Sequence, residues 1–283
     1  MLVGGNLTRT TGSFGFYHES NPDERTLVNS VREFAEIGIK VIEINVGIAM
    51  LYPELVTDKT IKGLLEVKED FDIEYTIHLP FNYLDASALL EKLRVVAVEE
   101  LKRLINLFES IKPIHYILHL TKSETNFVAN NPRYPSWVIE NTIKNMAVQA
   151  SKSVEELIEI IEPKRLCIEN LEYKNNPFPF FDIIKKYNTA MCYDVGHAIK
   201  AGFDSVEFFK EHKGFIRHIH FHDIKKEGNK LIDHCGLGEG FVDKGKFLNY
   251  IKNSKYDEVF LVEVSSIDQI KQSVSFLKDY NFI

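Results

Sequence analysis

The sequence predicts a single (β/α)₈ barrel covering residues 1–283. Short β-rich runs alternate with helical patterns eight times, and such alternation implies parallel strands. No linker or low-complexity segment divides the chain, and barrels of this class take about 250 residues. A doubly wound open sheet is the alternative fold. The first strand, VGGNL, however lacks the glycine spacing of a dinucleotide-binding loop.

The predicted strands follow one another along the whole chain. They are LVGGNL (2–7), KVIEINV (40–46), IEYTIHL (73–79), IHYILHL (114–120), RLCIENL (165–171), AMCYDV (190–195), IRHIHFHDI (216–224) and EVFLVEV (258–264). The first helix is predicted to begin at Asn21, an N-cap that Pro22 and Glu24 follow at favourable positions. Longer helical stretches cover residues 86–112 and 136–162.

Composition and charge narrow the function classes. The hydrophobic fraction of 45% and the charged fraction of 27% are ordinary for a folded soluble protein. The net charge of −7 argues against a nucleic-acid partner without excluding one, because phosphate backbones attract Lys and Arg. The odd number of cysteines indicates reduced thiols and a cytoplasmic location. No signal peptide or membrane-spanning segment is evident.

Ionisable residues occupy one face near the C-terminal end of six predicted strands. In IRHIHFHDI, three histidines alternate with Ile219 and Phe221, and alternate residues of a strand share a face. The same rule places these residues on the inner faces of their strands: His78, His119, Glu169, Asp194, His218, His220, His222 and Glu263. The C-terminal ends of barrel strands form the mouth where active sites lie. We therefore expect these groups to meet at one mouth.

Such a cluster of ionisable groups needs a compensating partner. Each isolated buried charge costs on the order of several kcal/mol. A single strand histidine is usually a hydrogen-bonded core residue, but convergence of many favours a metal site. Carboxylates and imidazoles bind divalent cations, here Mn²⁺, Zn²⁺, Co²⁺ or Fe²⁺. The DVGH motif adds His197, and His234 precedes GLGEG in the long loop after the seventh strand.

The position of each histidine along the seventh strand suggests its depth. His218 is expected to lie deepest and to be structural, whereas either His220 or His222 reaches the mouth. Substrate choice is expected in the loops at residues 121–135, 172–180 and 225–242. Aromatic candidates to line a substrate pocket are Tyr83, Phe127, Trp137 and Phe178, each of which packing would explain equally well.

The motifs IHLP, ILHL, IENLE, DVGH, HFHD, HCGLGEG and LVEV occur in an order that resembles the xylose isomerase-like barrels. That superfamily includes sugar and sugar-phosphate isomerases and epimerases, and also endonuclease IV. The resemblance covers nearly the whole chain. Each motif is weak alone, but their order on successive strands is fairly specific.

In the epimerase branch, the resemblance implies one metal ion held by Glu169, Asp194, His220 and Glu263. The H-x-x-D spacing favours His220 over His222. Glu169 and Glu263 would exchange protons with a carbon next to a carbonyl, while the cation stabilises the enediolate. The resemblance thus implies a metal-dependent isomerase or epimerase of a small sugar or sugar phosphate. Members acting on free ketoses usually carry an arginine where this chain has Lys226.

In the endonuclease IV branch, the resemblance implies three zinc ions and cleavage of DNA at abasic sites. His78, His119, His197 and His234 resemble four further ligand positions of that branch. A ninth ligand, an aspartate two residues before the last histidine, is replaced here by Ile232, with Asp233 displaced by one position. A barrel that binds a ligand without catalysis is a third hypothesis. The sequence leaves the oligomeric state open.

Overall fold

A computed structural model describes residues 1–6, 26–47, 50, 52–82, 84–121, 133–172 and 178–282. Its centre is a closed barrel of parallel strands in the order β1-β10-β7-β6-β5-β4-β3-β2. The barrel strands are β1 Leu2–Asn6, β2 Val41–Asn45, β3 Glu74–His78, β4 Tyr116–Leu118, β5 Leu166–Glu169, β6 Ala190–Asp194, β7 Ile216–Phe221 and β10 Val259–Val262. Each predicted strand forms, and closure rules out the open sheet.

Helices surround the barrel between the strands. They are α1 Thr26–Glu36, α2 Asp58–Phe71, α3 Glu91–Phe108, α4 Ser136–Leu157, α5 Phe180–Tyr187, α6 Val195–Lys200, α7 Ser205–His212, α8 Lys244–Asn253 and α9 Ile267–Asp279. The two long predicted helices form with shorter bounds, as α3 and α4. The predicted N-cap at Asn21 lies outside the described residues. Among the described residues, no helix has both the length and the apolarity that a membrane crossing needs.

The two faces of each strand serve different cores. Outward side chains such as Ile219 and Phe260 join the large core beneath the helices. Inward side chains in the lower barrel form two small apolar clusters: Val41, Val259 and Leu261, and Ile117, Cys167, Ala190 and Cys192. The alternation predicted from the sequence is thus confirmed on both faces. The polar inward-facing residues therefore lie in the upper part of the barrel.

The seventh strand ends earlier than the sequence suggested. A single strand over 216–224 was wrong, because β7 stops at Phe221. An antiparallel hairpin of β8 Asp223–Glu227 and β9 Lys230–Cys235 follows within the long connection. This hairpin delivers His234 back to the mouth.

Asp223 explains why the chain turns there. Its buried carboxylate accepts hydrogen bonds from the backbone N–H groups of Ile224, Gly238, Gly240 and Val242 and from Lys244 Nζ, at 2.7–3.1 Å. A side chain at Gly240 would place its Cβ 2.1 Å from the carbonyl oxygen of Ile224. The GLGEG segment therefore wraps around Asp223, whose carboxylate is saturated by protein donors.

Candidate metal centre at the barrel mouth

Four ionisable side chains meet at the C-terminal end of the barrel. Glu169, Asp194 and His220 belong to β5, β6 and β7, and Glu263 directly follows β10. Their candidate ligand atoms all lie within 4.8 Å of one another. His220 Nδ1 lies 3.0 Å from Glu263 Oε2 and 3.6 Å from Glu169 Oε2. We call these four residues the central set.

The electrostatics of the central set favour ionised carboxylates. Burial raises the pKa of Glu169 and Glu263, but the surrounding imidazoles lower both pKa values well below the ordinary range. Burial also raises the pKa of Asp194, but the neighbouring His197 and His222 outweigh this effect, and the pKa of Asp194 is lowered. Burial lowers the pKa of His220, yet the carboxylates raise it well above normal. The set therefore concentrates negative charge that a cation or a protonated imidazole must balance.

The donor atoms of the central set fit a divalent cation. Glu169 Oε2 and His220 Nδ1 are buried, and neither has an aligned hydrogen-bond partner among the described residues. An unsatisfied buried polar group costs about 1–3 kcal/mol, so such atoms are rare without a reason. Carboxylate oxygens and an imidazole nitrogen that lie within 4.8 Å of one another are the donors that a divalent cation takes.

Asp194 and Asn170 fix the ends of two neighbouring strands. Asp194 Oδ1 accepts the N–H of His197 at 2.6 Å and so caps α6. The Asn170 side chain accepts the Asp194 N–H at 2.8 Å and donates to the Asp194 carbonyl at 2.9 Å. These bonds hold Glu169 and Asp194 in a defined relation. Asp194 is therefore both a helix cap and a member of the central set.

His222 is engaged by protein groups on both ring nitrogens. Its Nδ1 accepts the backbone N–H of His234 at 3.0 Å, so the proton resides on Nε2, which lies 3.3 Å from Asp194 Oδ2. A Cβ at Gly196 would lie 1.9 Å from the His222 ring, which explains the glycine of DVGH. This geometry favours His220 over His222 as the ligand from the seventh strand.

One side of the mouth, which we call the aromatic flank, consists of His78, Phe81 and His119. His78 Nε2 and His119 Nε2 lie 3.3 and 3.1 Å from Glu169 Oε2. The Phe81 ring stacks on His119 with centroids 4.3 Å apart. Burial lowers the pKa of His119. The sequence reasoning overlooked Phe81, although it lies three residues after His78 in HLPF.

The other side, the charged flank, consists of Glu172, His197, Lys200, Asp233 and His234. Lys200 Nζ contacts Glu172 and lies 2.7 Å from Asp233 Oδ2. Burial lowers the pKa of both histidines, but neighbouring carboxylates raise it to about 9 for His197 and about 10 for His234. Asp233 Oδ1 lies 3.1 Å from His234 Nδ1 despite its shifted sequence position. Lys200, which the sequence reasoning missed, balances two of these carboxylates.

Beneath the central set lies a fourth carboxylate, that of Glu43, which the sequence reasoning missed. Glu43 of β2 is fully buried, with Oε1 3.1 Å from His220 Nε2 and Oε2 3.3 Å from His218 Nε2. Thr76 Oγ1 donates to Oε2 at 3.0 Å. His218 lies 3.3 Å from His115, nitrogen to nitrogen, in the depth expected for it. The alternation in KVIEINV carried this signal, because Glu43 falls between two outward isoleucines.

The proposed substrate-lining aromatics have different positions. Phe178 packs in the core beneath the helices, whereas Trp137 on α4 is 64% exposed. Tyr83 and Phe127 lie outside the described residues, as do large parts of the first two predicted substrate loops. Lys226 is exposed on the β8–β9 hairpin. Of the four aromatic residues proposed to line the pocket, Phe178 is therefore explained by its packing in the core.

A sequence model of the xylose isomerase-like TIM barrel matches residues 31–280. The chain belongs to this family. The protein MJ1311 of Methanocaldococcus jannaschii is 25% identical over 236 residues, which cover 78% of this chain and 75% of that protein. Among solved structures, a D-tagatose 3-epimerase-like protein superposes with a TM-score of 0.74 at 21% identity, covering 99% of this chain and 97% of its own.

The 3-keto-D-glucoside 4-epimerase YcjR from E. coli gives a TM-score of 0.69 at 12% identity, with 99% of both chains covered. Identities this low establish a common barrel. Since members of one fold catalyse different reactions, the chemistry must be argued from the residues at the mouth.

Proposed function

We propose that the protein is a divalent-metal-dependent isomerase or epimerase of a small sugar. The observation that carries this proposal is the central set, three carboxylates and one imidazole within 4.8 Å at the barrel mouth. Structures with the same fold include a D-tagatose 3-epimerase-like protein and a 3-keto-D-glucoside 4-epimerase, which supports a sugar substrate.

The central set has the groups that the reaction needs. Glu169, Asp194, His220 and Glu263 would hold the cation. When bound, the cation polarises a substrate carbonyl and stabilises the negative charge that develops when the neighbouring carbon loses its proton. Glu169 and Glu263 come from β5 and the end of β10, with β6 and β7 between them. Carboxylates on two sides of a substrate can remove a proton from one face and return it to the other.

The surroundings favour an uncharged sugar over a sugar phosphate. Phe81 offers an apolar ring against which the carbon face of a sugar can pack, and His119 beside it is 11% exposed. Lys200, a cation at this mouth, is already held by Glu172 and Asp233. A phosphate would have to displace one of these carboxylates.

Exchange of carbon-bound hydrogen tests the proposal. Metal-loaded protein is incubated with candidate ketoses in deuterated water, and deuterium incorporation is followed by NMR. We expect incorporation at the carbon next to the carbonyl for at least one ketose, and none with the Glu263→Gln variant. Absence of exchange with every candidate contradicts the proposal.

A zinc-dependent endonuclease acting at abasic sites is the second candidate. It is favoured by two further groups of candidate ligands, His78, His119 and Glu169, and Asp194, His197 and His234, which share residues with the central set. Several ions could therefore lie side by side. Nicking of an abasic duplex that is lost on chelation, together with about three zinc ions per chain, would favour this function.

A further inference from the structure

We propose that Glu43 is a positioning residue for the metal centre, whose carboxylate holds His220 in the tautomer that presents Nδ1 to the cation. This inference rests on the proposed function, because it concerns the same cation. It assigns a role to a residue that lies below the mouth and outside the central set.

The two nitrogens of His220 face different layers of the barrel. Nδ1 points to the mouth, 3.0 Å from Glu263 Oε2 and 3.6 Å from Glu169 Oε2. Nε2 points down, 3.1 Å from Glu43 Oε1. A neutral imidazole has one N–H and one lone pair. A cation in the central set needs the lone pair on Nδ1, so the proton must be on Nε2, facing Glu43.

The two carboxylate oxygens of Glu43 face different imidazoles, Oε1 that of His220 and Oε2 that of His218. Thr76 donates to Oε2 at 3.0 Å, and His218 Nε2 lies 3.3 Å from the same oxygen. Oε1 is thus directed to His220. Glu43, His218 and His220 are all fully buried, so bulk water offers no alternative acceptor. A carboxylate behind a ligating imidazole fixes its tautomer and orientation and raises its basicity.

Another arrangement of the same residues makes a distinct prediction. Candidate ligand atoms of Cys192, His218 and His220 also lie within 4.8 Å of one another, next to Glu43. A second, deeper cation held by these groups is the competing hypothesis. Both ring nitrogens of His218 already face protein groups, since Nδ1 lies 3.3 Å from His115 Nδ1 and Nε2 lies 3.3 Å from Glu43 Oε2. The geometry of Glu43 therefore points to a supporting role.

Metal affinity measured independently of turnover tests the inference. Wild type, Glu43→Ala, Glu43→Gln and Thr76→Val are stripped of metal and titrated with Mn²⁺ by calorimetry. We expect the Kd to rise roughly 100-fold in Glu43→Ala and roughly 10-fold in Glu43→Gln, which keeps an acceptor oxygen but loses the charge. Thr76→Val, which removes only the hydroxyl donor to Glu43, is the matched control and should change the Kd less than either.

A spectroscopic measurement separates positioning from general damage. In Zn²⁺-loaded protein with nitrogen-15 histidine, wild-type His220 should show a protonated Nε2 and a metal-bound Nδ1. In Glu43→Ala, this pattern should broaden or change while circular dichroism stays native. If Glu43→Ala does not fold, Glu43→Gln carries both measurements.

Unchanged Kd and unchanged nitrogen-15 pattern in folded Glu43 variants overturn the inference and leave the proposed function standing. Loss of a second ion with unaltered affinity for the first also overturns it, in favour of the deeper site. If the wild type binds no divalent cation, the proposed function fails and the inference fails with it.

Discussion

On the aromatic flank, His119 packs against Phe81, whereas on the charged flank His197 and His234 lie among acids and a lysine. Burial lowers the pKa of His119, which keeps that imidazole neutral. Carboxylates overcome burial on the other side and raise the pKa to about 9 for His197 and about 10 for His234. His119 is thus neutral on one side of the mouth, whereas His197 and His234 are charged on the other.

The difference suggests that the two flanks on either side of Glu169 have separate roles. The aromatic flank presents a neutral imidazole and an apolar ring, which suit contact with a sugar. The charged flank balances its own charge through Lys200, which holds Glu172 and Asp233. We therefore expect changes on the aromatic flank to alter substrate binding, and changes on the charged flank to alter stability.

The largest effect should come from the centre that both flanks share. Glu263→Gln removes a base and a ligand while preserving shape, so turnover should fall by about 10³-fold or more. Circular dichroism should remain that of the wild type. Activity at the wild-type level would mean that Glu263 is neither a base nor a ligand.

Phe81→Ala tests the aromatic flank. Loss of the ring should raise KM by about fivefold with little change in kcat, because an aromatic contact contributes about 1 kcal/mol to binding. The steady-state constants are measured with the ketose that shows hydrogen exchange. A fall in kcat at constant KM would place Phe81 in the chemistry instead of in binding.

Lys200→Met tests the charged flank in the matching way. The free energy of unfolding should fall by about 1–2 kcal/mol, because Glu172 and Asp233 lose their cation in a partly exposed site. KM should stay within the range of the wild type. Urea unfolding and steady-state kinetics provide the measurements, and an increase in KM without loss of stability would reverse the assignment of the two flanks.

We expect the smallest effect in the pH dependence of the free energy of unfolding of the metal-free protein. The folded pKa of His234 is raised from 6.5 to about 10, so its stabilising contribution is present below pH 6.5 and disappears as the pH rises through about 10. His119, whose pKa is lowered, contributes no such loss in this range. Between pH 6.5 and 10, the free energy of unfolding should therefore fall less in the His234→Ala variant than in the wild type.

His119→Ala serves as the control for that comparison. Its urea unfolding free energy should fall between pH 6.5 and 10 as much as that of the wild type. Equal pH slopes for His234→Ala and the wild type would show that the ion pairs of the charged flank contribute nothing measurable to folding.

Alternation along the strands predicted that ionisable groups meet at the mouth, whereas the choice of the four residues of the central set came from the family resemblance. Alternation within each strand places Glu169, His220 and Glu263 on inner faces, and parallel strands bring their C-terminal ends to one mouth. The same rule applied to KVIEINV points to Glu43, but the sequence shows no partner for that acid. Its partners, Thr76 and His218, become visible only when β2, β3 and β7 close into a barrel.

Other features depend on contacts that no local pattern encodes. The end of β7 is set by Asp223, whose carboxylate takes N–H groups from residues 238–242, far along the chain. Phe178 and Trp137 looked equivalent as pocket candidates, yet one is buried in the core and the other is exposed. The role of Lys200 could not be predicted from the sequence, because it depends on α6 placing this residue beside Glu172 and Asp233.

The metal content of the protein tests the central claim most directly. Protein purified without a chelator is analysed by mass spectrometry for metals, alongside Glu169→Ala and Glu263→Ala. We predict about one tightly bound divalent cation per chain in the wild type and loss of that cation in both variants. A wild type that binds no cation, or variants that retain it, would contradict the assignment of the central set as a metal centre.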